Sequence, residues 1–198
     1  MENLRVFFIM LIVFTLGSVV MGFEMLISRY LYPYFGGGIE TWGALISTVL
    51  AALMVGYYVG GFLADRFPSL TMLSALVLGA AGWIAMVPLF ADWFLPVLLD
   101  FSDTGAMVVI LASMLLTFVP LAFIGTLLPF IVKVVLTDVD RVGRVAGLCY
   151  AVSTFGNICG ILIVTFYLIP TIGVRSITEI IAGVTVLCAG ALFLLRRR

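Results

Sequence analysis

A chain of 198 residues with ten basic and ten acidic side chains, no histidine and a mean hydropathy of +1.32 cannot clothe a water-facing surface of ordinary composition. It reads as an all-α integral membrane protein, and the balanced charge without a basic stripe argues against nucleic acid as a partner. Cys149, Cys159 and Cys188 sit in apolar runs without C-x-x-C spacing, which points to inert packing and to no metal site or cofactor.

Apolar windows long enough to cross about 30 Å of hydrocarbon fall at about 5–31, 42–63, 70–91, 105–135, 145–169 and 174–195. These six transmembrane helices form one domain over 1–198. The first window is longer than a signal-peptide core and lacks a small-residue cleavage site, so it reads as a retained span. The breaks have local causes: Pro33 with Gly36 to Gly38, Asp65 to Pro68, Asp92 to Asp103, Asp138 to Arg144, and Pro170 with Gly173.

In the first helix the apolar run meets Glu24 and then Arg29. A charge in hydrocarbon costs a few kcal/mol, roughly 2.5–3.5 at a helix centre and less near the surface. The expected place for Glu24 is close to the outer edge of the membrane, with Arg29 snorkelling beyond it among Tyr30, Tyr32, Tyr34 and Phe35. Glu24 shares a helical face with Gly17, Met21 and Ser28, and that face is expected to look into the bundle. Two roles fit: a carboxyl hydrogen-bonded to neighbouring helices, or a carboxylate lining an outward-opening cavity.

Helix two contains Gly56-x-x-x-Gly60 followed by Gly61, and helix five contains Gly143-x-x-x-Gly147 and Gly156-x-x-x-Gly160. Small residues four apart allow helix backbones to approach closely. Helix four carries Pro120 and Pro129, each removing a backbone donor, so a kink is expected. On helix five, Tyr150, Ser153, Thr154 and Asn157 make a polar stripe at i, i+3, i+4 and i+7, suited either to interhelical hydrogen bonds or to a solute-lined cavity. In helix six, Glu179 stands four residues after Arg175, the spacing of an ordinary helical ion pair, with a second acidic contact to solute as the alternative.

With a cytoplasmic N-terminus, one side holds Arg5, Arg66, Lys133, Arg141, Arg144 and Arg196 to Arg198, and the other only Arg29 and Arg175. That asymmetry places both termini in the cytoplasm, in a cytoplasmic or plasma membrane.

The segment GYYVGGFLADRFPS, residues 56 to 69, resembles the signature between helices two and three of the major facilitator superfamily, matching at Gly61, Leu63, Ala64, Asp65 and Arg66. It departs at Pro68, where the signature has its second glycine, and lacks the following basic pair. Together with Glu24, Arg29, Leu31, Pro33-Tyr34, Gly36, Trp42 and RVAGLCYAVSTFGNICG, it resembles the membrane domain of fused spermidine synthase-like proteins. In that family a half-facilitator bundle precedes a soluble aminopropyltransferase domain. The sequence reaches Arg198 without a glycine-rich nucleotide loop, so the resemblance implies no enzyme activity for it.

What the resemblance implies is a six-helix half-facilitator with an inverted three-plus-three repeat. Two copies would make a homodimeric transporter for a small solute, a polyamine or another cation. Substrate contacts are expected at Glu24, Arg29, Tyr150, Thr154, Asn157 and Glu179, gating at Asp65 and Arg66, and dimer packing at Gly56, Gly60, Gly61, Gly143, Gly147, Gly156 and Gly160. The rival expectation is a non-transporting module that anchors a separate aminopropyltransferase-like protein. A third is an isolated half-domain with no independent function.

Overall fold

A computed structural model describes residues 2–100, 105–135 and 142–196. The expected features at Asp103, Asp138, Arg141, Arg197 and Arg198 lie outside the described residues. Among the described residues every regular element is helical, and six helices are long and apolar enough to cross a membrane. The protein is a multi-pass helical membrane protein. We name these helices α1 (Glu2–Phe35), α2 (Ile39–Arg66), α3 (Leu70–Asp100), α4 (Gly105–Val135), α5 (Val142–Thr171) and α6 (Val174–Leu195).

Several helices run further than their sequence signals suggest. α1 continues to Phe35 with Pro33 in its last turn, where the missing donor and the ring disturb only a short stretch of ladder. This leaves Glu24 about three turns before the C-terminal end of α1. α3 passes Pro88, Asp92 and Pro96 to reach Asp100, so Asp92 is a helical residue rather than the start of a loop. A single Gly36 at φ 69° turns the chain between α1 and α2, a conformation open to glycine at little cost.

The ladder of α4 is irregular around its two prolines. Just before Pro120 the ladder widens into a π-helical turn over Met114–Phe118, and it is interrupted again at Thr126, before Pro129. Pro120 has no N–H to offer the turn behind it, and the Leu115 carbonyl there accepts from the Trp83 indole at 3.3 Å. α5 repeats the pattern: a π-helical turn spans Val164–Leu168, immediately ahead of Pro170.

α1 is the axis of the bundle and touches all five other helices. The most extensive pairings are α1 with α5, α2 with α4, and α3 with α6. Lipid offers little hydrophobic drive for helix association, so these pairings depend on fit and on a few polar links. Gly156 and Gly160 lie under the backbone of α1, where a Cβ would overlap the carbonyl oxygens of Phe14 and Ser18. Gly56 and Gly60 lie in the same way against Ala122, Gly125 and Thr126 of α4. These four glycines were expected to meet a partner chain and instead meet their own. A close-approach motif reports how near another backbone comes, and here that backbone belongs to the same bundle.

Hydrogen bonds pin the remaining seams. Thr178 gives its hydroxyl proton to the Val174 carbonyl at 2.9 Å, so Tyr30 donates in its 2.8 Å bond to the Thr178 oxygen, tying α1 to α6. Ser74 donates to the Ala189 carbonyl at 2.7 Å across the α3–α6 seam.

Candidate functional site

Near the middle of the bundle α1, α2, α4 and α5 leave a slot of about 20 Å³. Gly17 and Val20 of α1 form one wall, Gly125 of α4 another, and Tyr57, Ser153 and Asn157 supply the polar lining. Gly17 brings α1 directly onto α5 beside the slot, where a Cβ would overlap the Ser153 carbonyl. Asn157 Oδ1 is buried and has no hydrogen-bond partner. An unpaired buried acceptor costs roughly 1–3 kcal/mol, so this amide marks a place where a donor from outside the chain would be welcome.

The rest of the stripe on α5 opens away from the bundle. Tyr150 is 48% exposed, and Thr154 is exposed on the same side. Tyr57, 37% exposed, joins them from α2. A polar patch of this kind, part-way along two candidate spans, is a poor neighbour for lipid tails. Tyr57 and Ser153 were not among the expected solute contacts. The available signal was a tyrosine enclosed between Gly56 and Gly60, where a close helix crossing brings polar neighbours within reach.

Glu24 is 5% exposed, on the α1 stripe that also presents Gly17 to the slot, with Glu24 about two turns further out. The expectation that this face looks into the bundle agrees with its burial. No hydrogen bond or ion pair to Glu24 occurs among the described residues. Two cavities of about 470 and 410 Å³ at the α1–α2 end of the bundle, lined by residues such as Tyr34, Glu40, Ser47 and Val108, do not include it. In this conformation the Glu24 carboxyl has no bonded neighbour among the described residues and lines neither of these two cavities.

Arg29 is exposed near the C-terminal end of α1. Glu179 is exposed as well, and Arg175 bonds to Asp92 on α3 at 2.7 Å, in place of the expected partner one helical turn away. The pairing across helices arises because α3 extends far enough to carry Asp92 beside the start of α6. Neither residue joins the central slot. At the opposite end Asp65, one of the two expected gating residues, accepts from Lys133 of α4 at 2.8 Å, and Arg66, the other, lies over the Phe67 ring at 5.8 Å.

The described cavities and polar clusters hold no group of three or more His, Cys, Asp or Glu side chains suited to a metal ion. Gly61, Gly143 and Gly147 face open space, in contrast to the four glycines filled from within. Comparison with protein-family models, curated proteins and solved structures gave no match.

Proposed function

We propose that the chain is one half of an alternating-access transporter and works as a homodimer, with the solute bound where the α2 and α5 faces of two copies meet. The observation that carries this reading is the uncovered polar face formed by Tyr57, Tyr150, Thr154 and the slot holding Asn157. A second copy would remove that face from lipid and leave a polar chamber at mid-membrane, the usual place for a transporter's substrate site.

Three features support it. α5 is the least buried of the six spans and α2 the next, as expected if both are covered by a partner. Gly61 on α2 and Gly143 and Gly147 on α5 face open space on those same faces and leave room there for a partner's backbone, as Gly82 of α3 and Gly183 and Gly190 of α6 also do elsewhere. The pairings α1–α5 and α2–α4 exchange with each other, and α3–α6 maps onto itself, when the first three helices are interchanged with the last three. An inverted repeat requires this symmetry.

The solute class follows from the lining. Phenol, hydroxyl and amide groups suit a small hydrogen-bonding molecule, and the buried Glu24 would favour a cation once the chamber reaches it. A polyamine fits both features. The test is uptake of a panel of amines and neutral polar solutes into sealed vesicles containing the purified chain. Uptake abolished by Asn157→Leu supports the reading, and a panel with no transported member in vesicles shown to contain dimers would overturn it.

A further inference from the structure

At the end of the bundle carrying Arg5 and Arg196, a separate cavity of about 420 Å³ opens between α1, α3, α4 and α6. Arg5 and Arg196 enter it from two helices, and Ser69 and Thr71 line it at the start of α3. The two arginines are held differently. Arg196 donates to the Thr71 hydroxyl at 3.3 Å and lies 3.5 Å above the Phe193 ring. Arg5 has its Nε buried with no acceptor, and no described carboxylate lines the cavity.

A buried guanidinium nitrogen without an acceptor calls for an explanation. Two positive charges, two hydroxyls and the positive end of the long α3 helix converge on one space, which matches the oxygens of a phosphate. We infer that this pocket binds a phosphate-bearing anion, either the headgroup phosphate of an acidic lipid or a free phosphate. Its position where four helices end is that of basic pockets between membrane helices that take acidic headgroups. The assignment is independent of the transport reading, since none of these residues lines the central slot.

The test uses the purified full chain in neutral detergent, with phosphatidylglycerol, phosphatidylcholine and inorganic phosphate as probes. Retained lipid is read by native mass spectrometry, and anion binding by the shift of the melting temperature. Phosphatidylglycerol should be retained in preference to phosphatidylcholine if the source is a lipid, and inorganic phosphate alone should stabilise the chain if the source is a free anion. In either case the Arg5→Gln, Arg196→Gln double variant should bind roughly tenfold or more weakly, whereas Arg144→Gln, at an exposed arginine of α5, should bind as the parent does. If the double variant does not fold, Arg5→Gln alone carries the test, because its Nε has no internal bond to lose. Undiminished binding in these Gln variants, or binding of neither anionic probe by the parent chain, would overturn the assignment.

Discussion

Gly156 of α5 sits against the carbonyl of Phe14 of α1 so closely that a side chain at 156 would overlap the Phe14 oxygen. Backbone meets backbone there, an arrangement that permits weak Cα–H bonds to carbonyl oxygens. Gly156→Leu should therefore damage the single bundle. We expect a loss on the order of 1–3 kcal/mol or more, the usual cost of overpacking, seen as a lowered melting temperature in detergent. Gly147→Ala, at a glycine facing open space, should change it little. Equal melting temperatures for Gly156→Leu and the parent would contradict the packing described.

Asn157 separates fold from function. Its Oδ1 has no partner, so Asn157→Leu removes a buried polar group without breaking a bond to that oxygen. We expect thermal stability unchanged or raised by up to about 1 kcal/mol, together with loss of solute uptake. Lower stability with intact uptake would show that the amide serves packing.

The Asp65–Lys133 pair, with side chains 73% and 50% exposed, is a surface ion pair worth about 0–1 kcal/mol. Asp65→Asn should shift stability by no more than that amount. If the pair also restrains opening at this end, uptake should change in Asp65→Lys and recover when Lys133→Asp is added. Uptake identical in single and double variants would remove the gating role.

The dimer predicts which cysteines meet. Ala151 on α5 and Tyr58 on α2 lie on the uncovered faces, so Tyr58→Cys with Ala151→Cys should cross-link between chains in native membranes. Leu187, 73% exposed on α6, should not cross-link as Leu187→Cys. Cys149 and Cys188 are buried and should contribute little background. Failure to trap the α2–α5 pair under any condition would favour the anchoring module over the transporter.

Orientation is tested separately. Cysteines introduced by Asn3→Cys and Arg198→Cys should resist an impermeant reagent in intact cells, while Gly37→Cys should react. The opposite pattern would reverse the topology inferred from the basic residues.

The six spans were legible in the sequence because long apolar runs have few other uses, and the burial of Glu24 was legible from the face it shares with Gly17. Partners were not legible. The glycine motifs on α2 and α5 announce close approach without saying to which backbone: Gly56, Gly60, Gly156 and Gly160 were filled inside the chain, while Gly143 and Gly147 face open space. Arg175 has an acid one turn away in sequence, yet its bond goes to Asp92 on another helix, a choice decided by how far α3 extends. The central slot was half legible: Asn157 stood out as polar in an apolar run, but Tyr57 joins it only through the crossing of two helices.

The widened turns at Met114–Phe118 and Val164–Leu168 have a mechanical meaning. A π-helical turn holds about one residue more than the α-helical turn it replaces, so each of these helices carries a spare residue part-way along its length. If the turn tightened, the segment on one side would rotate by about 100° relative to the other, the angle per residue in a 3.6-residue turn. Such a rotation, with an advance of roughly 1.5 Å along the axis, would present a different row of side chains to the neighbours. α4 and α5 can thus act as screws with a built-in joint. Deleting one residue within Met114–Phe118 should remove that joint and fix the following segment in its present facing.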